Sequence, residues 1–438
     1  MANTTLTRNA TSIGDTQKGT YSCWIKRGDL SREQMIFTWY GDSGNYQFHI
    51  EFESDDKLEI KSWDYNTTDL RLVTNRQFRD TNAWYHIVAK VDTTQSTASD
   101  RVRLYINGVE ETSFATSNYP SQNHAMQMNG ANTTDPRIGS HDASNRFFNG
   151  SMSHLHWCDG YAYDASAFGS QDATTGEWKI NTSPNVQYGT NGFFILKDGN
   201  SVTDQSPNTN NFTVAGGTLT KTEDNPSSVF ATWNNLDPKS SSWNMQNGNT
   251  RLQGTGGDSW ETRRAISTIG ASSGKYYAEL KMTTAGNDSF PFGVGYDVFE
   301  LSYNSSMGSN SNFWGYYQPA GGRIYGEATS LQFSLGGGTG DIIGIALDID
   351  NLTLQFYKNG STMGSQITGL PSGKTWFFSS SAYGNTNTFD CNFGNGYFGT
   401  TAVSSNSGNG YSATGNLGIF QYQPPTGYTA LCTKGLNL

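Results

Sequence analysis

Charge is scarce in this chain: 15% of its 438 residues are Asp, Glu, Lys or Arg, against about 25% in an ordinary globular protein. The charge present leans acidic, with 28 Lys and Arg against 38 Asp and Glu and a net charge of −10. Broad binding to nucleic acid or to an anionic membrane needs clustered basic residues, so neither is an expected partner; a local basic patch is still compatible with this balance. Long apolar runs are missing as well, and no stretch approaches the ~18 residues of a membrane-spanning helix. The opening residues, MANTTLTRNATSIGD, lack the apolar centre of a secretory leader. The expected history is folding in a reducing cytosol, followed by release on lysis. Only four cysteines are present, Cys23, Cys158, Cys391 and Cys432, and their spacing matches no zinc pattern such as C-x2-C. Free buried thiols are expected, with a Cys23–Cys158 bridge as the alternative.

What the chain has in quantity is glycine, 50 residues, and aromatics, 13%. Aromatics at that level argue against disorder even though hydrophobic content is only 34%. With abundant Asn, Ser and Thr they imply short strands and many turns. Period-two runs bear this out along the first half: TYSCWIK (20–26), MIFTWY (35–40), YQFHIEF (46–52), KLEIKSW (57–63) and WYHIVAKV (84–91). In RVRLYINGVE (101–110), Asn107-Gly108 supplies the positive φ values of a two-residue hairpin turn, and Asn359-Gly360 after LTLQFYK repeats the signal. MSHLHWCDG (152–160) reads as a further strand. KYYAELKM (275–282), PFGVGY (291–296) and DIIGIALDID (341–350) extend the pattern into the second half. The expected fold class is all-β: two antiparallel β-sandwich (jelly-roll) domains at 1–180 and 236–438, joined by an ordered connector at 181–235. Phe212, Val214 and Phe230 in that connector need burial.

Four segments in a fixed order, TYSCWIKRG (20–28), WYHIVAKVD (84–92), RVRLYINGVE (101–110) and RFFNGSMSHLHWCDG (146–160), resemble the laminin-G-like, concanavalin-A-like jelly rolls. GKYYAELKM (274–282), FGVGY (292–296) and GDIIGIALDIDNLTLQFYKNG (340–360) resemble the SPRY fold. DQSPNTNNFTV (204–214), DNPSSVFATWNNLDP (224–238) and QPPTGYTALCTKGLN (423–437) are similar to segments of bacteriophage virion proteins of the marine, cyanophage type. These resemblances imply a non-enzymatic virion structural protein, foremost a tail-fibre or spike component that contacts the host surface. Capsid decoration, or a head-fibre role, is the structural alternative, and a polysaccharide depolymerase the enzymatic one. The implied partners are other virion proteins and a host glycan or receptor, on a particle-bound homo-oligomer for which a trimer is favoured. No stalk precedes the first strand of the given sequence, which suits a tip, a short appendage or a decoration.

Candidate chemistry is thin. A glycanase on this fold needs two carboxylates about 5 Å apart. Glu51, Glu53 and Asp55 alternate in HIEFESDD, but their order departs from the E-x-D-x-E strand and ends in a turn, so a solvated strand edge is expected. Asp348 and Asp350 read as strand closure. His154, His156 and Cys158 share a face in an alternating strand and lack a visible third metal ligand, which favours a polar outer face opposite Leu155 and Trp157. GGGTGD (336–341) lacks the Lys-Ser/Thr of a phosphate loop and reads as a turn. No cofactor is expected, apart from the calcium that the laminin-G-like resemblance allows; Asp42 in YGDSGN and Asp142 in GSHDASN sit in suitable loops. Glycan binding needs exposed aromatic faces beside polar groups. Trp314, Tyr316, Tyr317, Arg323 and Tyr325 in SNFWGYYQPAGGRIYGE (311–327), with Tyr397 in FGNGYFG, are the candidates. The alternation of Trp314 and Tyr316 equally suits a core strand.

Overall fold

In the computed structural model the described residues are 3–65, 67–142, 144–197, 201–237, 243–255, 264–284, 291–297, 312–317, 322–326, 329–332, 335–381, 387–403, 411–412 and 414–437. The chain divides into two compact units, Met1–Leu219 and Thr220–Leu438. Both are built from sheets that pair almost wholly antiparallel, and among the described residues the α-helical content is one turn, Ala98–Arg101. The all-β reading therefore holds.

In the first unit an eight-stranded sheet runs in the order Phe114–Asn118, Thr67–Gln77, Lys57–Asp64, Tyr46–Phe52, Gln34–Gly41, Asp135–Ile138, Thr5–Thr7 and Thr213–Gly216. A six-stranded sheet runs Phe193–Ile195, Gly150–Asp159, Lys18–Arg27, Trp84–Asp92, Val102–Ile106, Val109–Glu111. Alternation decides what lies between them. Phe37, Trp39, Phe48, Ile50 and Ile60 from the first sheet meet Tyr21, Cys23, Ile25, Leu155 and Trp157 from the second in one buried cluster. Trp157 is its hub, with ring centroids 5.3 Å from Phe37 and 5.7 Å from Trp39. A buried aromatic of this size is worth about 3–5 kcal/mol against alanine.

The six-stranded sheet departs from expectation on its other face. His156 and Cys158 were expected on a polar outer surface, yet both are buried. Chain 161–194 folds back over them, so Cys158 packs with Val88, Tyr105, Phe168, Tyr188 and Phe194. His156 stacks on Phe194 at 3.9 Å and its Nδ1 lies 2.9 Å from the Tyr188 hydroxyl. A bulge between Ser153 and His156, with His154 at φ 50°, takes His154 out of the alternation. The three residues are therefore not one metal-facing row.

The connector is also redistributed. Strand Phe193–Ile195 pairs with Gly150–Asp159, and Thr213–Gly216 pairs with Thr5–Thr7. Phe193, Ile195 and Phe212 lie in the first core, while Ala231 and Trp233 lie in the second. These five residues thus find burial in one unit or the other, and the division falls inside the connector, at 219–220. Asp204 fastens the first part: its carboxylate accepts from the backbone N–H of Phe194, Ser206 and Asn210. Val214, expected to be buried, is 45% exposed.

The second unit repeats the two-sheet plan. One sheet runs Trp243–Gln246, Arg251–Gly254, Thr388–Asn392, Lys275–Thr284, Ile342–Asp348, Thr353–Lys358, Ser361–Thr368, with Thr429–Ala430 added parallel to Lys275–Thr284. The other runs Arg264–Ile266, Phe377–Ser381, Pro291–Gly295, Phe313–Tyr317, Arg323–Gly326, Thr329–Gln332. Its core gathers Trp233, Leu280, Trp314, Ile345, Phe356 and Trp376. Both hairpin signals are realised: Asn107 and Gly108 have φ 49° and 80°, and Asn359 and Gly360 have φ 50° and 80°. All four cysteines are buried with free thiols, and burial pushes the Cys23 thiol up to about 12.

Candidate functional site

The first unit carries an unusual polar surface. On strand Tyr46–Phe52 the core takes Phe48, Ile50 and Phe52, so Gln47, His49 and Glu51 must face the other way. The neighbouring strand sends Glu59, Lys61 and Trp63 to the same side. Register aligns them in rungs: Tyr40, Gln47 and Trp63 in one, Thr38, His49, Lys61 and Arg71 in the next, Glu51 and Glu59 in a third. His49, Glu51 and Glu59 are only 2–3% exposed although they point away from the apolar core.

Arginines and a loop cover them. Arg146 Nη1 donates to both Glu51 oxygens, at 2.9 and 3.0 Å, while its Nε reaches Glu33 at 2.9 Å. Arg71 Nε donates to Glu59 Oε2 at 2.5 Å, and its Nη2 lies 3.5 Å from Glu53. His49 Nε2 lies 3.3 Å from Glu59 Oε1 and 3.5 Å from Glu51 Oε1. Burial pushes the Glu51 carboxyl up against the opposing effect of His49 and Arg146. Burial and the neighbouring Glu59 and Glu51 push Glu53 up to about 7. Burial also opposes ionisation of Glu59, but the bonds from His49 and Arg71 together outweigh it and bring that group down to about 2.

Around this cluster stand partly exposed rings, Tyr40, Tyr46 and Trp63, with Tyr65 more than half exposed. Arg137 lies over Tyr40 at 4.8 Å and Lys61 over Trp63 at 5.3 Å. His141 Nε2 donates to Gln47 Oε1 at 2.9 Å and its ring meets Tyr40 edge-on. Of the expected residues, Glu51 belongs here as a buried, paired group rather than a solvated edge. Asp55 stays in the following turn, paired with Lys57 at 2.7 Å. The calcium candidates are engaged locally. Asp142 Oδ1 accepts from Ser144 N–H and Asn145 N–H, and Asp42 Oδ2 from the Asn45 amide.

In the second unit, Trp314 and Tyr316 are 3% and 0% exposed and belong to the core, because the expected loop is a pair of strands, Phe313–Tyr317 and Arg323–Gly326. Their buried faces cannot stack on a sugar. Tyr317, Arg323 and Tyr325 alternate to the opposite face and are partly exposed. Tyr317 and Tyr325 meet edge-on at 5.6 Å, and Arg323 Nη1 is 3.4 Å from the Tyr325 hydroxyl. Tyr397 lies in another pairing, opposite Ala402, where its hydroxyl accepts from Lys221 N–H. Residues 311, 318–321 and 327 of the expected loop lie outside the described residues. Asp348 pairs with Lys275 and caps Asn351, and Asp350 accepts from Gly274 N–H.

Comparison with known proteins divides the chain in the same way. Residues 2–162 match the family model described as the concanavalin A-like lectin/glucanases superfamily, and residues 275–396 match the SPRY domain. The chain joins a laminin-G-like domain to a SPRY domain. Ran-binding protein 9 of Danio rerio and of Homo sapiens are each 31% identical over 108 residues, 25% of this chain. The chain spans only 18% and 15% of those two relatives. The crystal structure of the SPRY domain of human HERC1 aligns at 17% identity with a TM-score of 0.30, covering 35% of this chain and 95% of that one.

The laminin-G-like domain also contains a buried serine–histidine contact, Ser22 Oγ to His86 Nε2 at 2.9 Å. Trp178 Nε1 donates to His86 Nδ1 at 2.9 Å. The indole can only donate, so Nδ1 is the acceptor and Nε2 carries the proton. A histidine in that tautomer donates to the serine and cannot take its proton. Burial keeps it neutral, lowering it to about 3. Sequence reasoning placed Glu51 on a solvated strand edge and missed its partners. The stripe Gln47, His49, Glu51 was visible in YQFHIEF; Arg146, 95 positions away from Glu51, was not.

Proposed function

We propose that this chain is a non-catalytic virion component of a bacteriophage, and that its laminin-G-like domain reads a host-surface glycan on the outer face of the eight-stranded sheet. The observation that carries this reading is the rung of Tyr40, Gln47 and Trp63, with Tyr46, Tyr65 and His141 beside it. Ring faces next to amide, imidazole and guanidinium groups are the mixture that sugar carbons and hydroxyls require. The neighbouring carboxylates support recognition over hydrolysis, because Glu51 and Glu59 are each held by an arginine rather than left free toward a substrate. The virion assignment rests on three segments. DQSPNTNNFTV closes the first unit through Asp204, and the other two meet where Ala231 N–H bonds Leu431 O and Thr433 N–H bonds Val229 O. Segments that close a module are the ones a family of modular particle proteins would share.

The test is binding to an array of purified bacterial surface polysaccharides. The wild-type chain is expected to bind a subset without generating new reducing ends. Tyr40→Ala with Trp63→Ala should weaken that binding at least tenfold, while Tyr317→Ala with Tyr325→Ala should leave it within twofold. The reverse pattern would move the recognition surface to the SPRY domain. New reducing ends that vanish with Glu51→Gln would establish the depolymerase instead.

A further inference from the structure

Beneath that surface, the contacts around His49 show which of its nitrogens faces the carboxylates. Gln47 Nε2 donates to Gly44 O at 2.6 Å, which fixes the amide and turns Oε1 toward the two histidines. Oε1 can only accept, so His49 Nδ1, 3.4 Å away, is the donor. The remaining nitrogen, Nε2, therefore faces Glu51 Oε1 and Glu59 Oε1. A ring nitrogen facing two carboxylate oxygens in a buried setting calls for a cation there, either a proton on that nitrogen or a metal.

The distances suit a metal. A charge-assisted N–H···O bond closes to about 2.7–2.9 Å, but these contacts are 3.3 and 3.5 Å. Two ligand atoms each ~2.1 Å from a tetrahedral zinc ion lie roughly 3.4 Å apart. All three ligand atoms fall within 4.8 Å of one another. The Gln47 bond to Nδ1 is the support that a metal-bound imidazole ordinarily has, fixing its tautomer and ring orientation. Charge agrees. The carboxylates Glu33, Glu51, Glu53 and Glu59 outnumber the guanidiniums of Arg71 and Arg146, so the cluster is net acidic even with Glu53 partly protonated. Lys61, on the same rung, directs its ammonium over Trp63.

We propose that His49 Nε2, Glu51 Oε1 and Glu59 Oε1 bind one first-row divalent cation of the Zn2+ class, with water completing its coordination. An imidazole ligand distinguishes this site from the calcium sites expected at Asp42 and Asp142. The inference does not depend on the glycan reading, since metal uptake is measured without any sugar.

The full chain, stripped with a chelator, is titrated with ZnCl2 by calorimetry, and the bound metal is counted by elemental analysis. One Zn2+ per chain is expected, with a raised melting temperature. His49→Gln should weaken binding at least a hundredfold. Gln47→Leu, which leaves all three ligands in place, should weaken it roughly ten- to a hundredfold. Asp142→Asn should change nothing. Failure of the wild-type chain to take up stoichiometric zinc overturns the proposal, as does unchanged affinity in His49→Gln. Should His49→Gln fail to fold, Gln47→Leu decides alone: unchanged affinity there also overturns it.

Discussion

Each unit buries glutamate side chains on alternating strands, and the two units treat them in opposite ways. In the first unit Glu51 and Glu59 face outward, and guanidiniums bring the counter-charge. In the second, Glu279 on strand Lys275–Thr284 is fully buried. Among the described residues its partners are neutral donors: the backbone N–H groups of Gln421 and Tyr422 at 2.8 and 2.9 Å, Asn392 Nδ2 at 3.3 Å and the Tyr277 hydroxyl at 3.4 Å. Burial pushes this carboxyl up to about 7 despite those bonds. Glu279 is a clamp that holds the C-terminal segment on the sheet. The outward pair is a charged network partly open to solvent. A buried carboxylate among fixed backbone donors organises the fold, whereas carboxylates paired with half-exposed arginines belong to a network that reaches the surface.

The largest effect expected from this contrast is at the clamp. Glu279→Ala leaves two backbone N–H groups and an amide without their acceptor. Unpaired buried donors cost about 1–3 kcal/mol each, reduced by whatever water enters. A loss of about 3 kcal/mol in the second unit is expected, read as faster hydrogen exchange in 414–437 with exchange in the first unit unchanged. A loss below about 1 kcal/mol would mean that the tail is held elsewhere.

The pH dependence of the clamp comes next. An unfolded glutamate releases its proton near 4.5, the folded Glu279 near 7. Below 4.5 both states are protonated and the full contribution to stability is present. As pH rises through about 7 the folded protein must either hold a proton that the unfolded chain has already released or bury a charge, so stability falls. The difference is worth about 3 kcal/mol at most. The stability of the second unit should fall by about 2–3 kcal/mol between pH 4.5 and 8, and Glu279→Gln should flatten that slope. Glu59, brought down to about 2 by its partners, acts in the opposite direction: its contribution is present above 4.5 and is lost as pH falls toward 2. A slope in the second unit that persists in Glu279→Gln would assign it to another group.

The two sandwiches, their strands and both Asn-Gly hairpins were legible because period-two patterning and positive-φ turns are local properties. The second face of strand Lys18–Arg27 was not. In TYSCWIK the alternation puts Ser22, Trp24 and Lys26 on the face opposite Tyr21, Cys23 and Ile25, and Trp24 is buried there too, stacked on His86 at 4.9 Å, since a segment more than 130 positions later covers that sheet. For the same reason His156 and Cys158 looked exposed. The aromatic candidates were split by alternation itself: Trp314 and Tyr316 went to the core and Tyr317 to the outside. The cluster around His49 was half visible. Its stripe lies in seven residues, but the arginines that make it a network arrive from strand Thr67–Gln77 and from the loop at 144–146, and register across strands is not written in any one of them.

The smallest effect concerns how the outward network shares its load. Arg146→Met keeps the apolar stem and removes the charge that holds Glu51. Breaking a buried pair costs about 3–5 kcal/mol when one charge is left stranded, but a third of the Arg146 side chain is exposed and His49 still faces Glu51 at 3.5 Å. Solvent and the histidine should together reduce the loss to about 1 kcal/mol. Arg71→Met, acting on Glu59 from the other side, should cost a similar amount. The two arginines touch different carboxylates that share one imidazole, so the double substitution should exceed the sum by about 0.5–1 kcal/mol. Strict additivity in chemical denaturation would show that Glu51 and Glu59 behave as two separate ion pairs, and the difference drawn here between a shared network and the isolated clamp at Glu279 would then collapse.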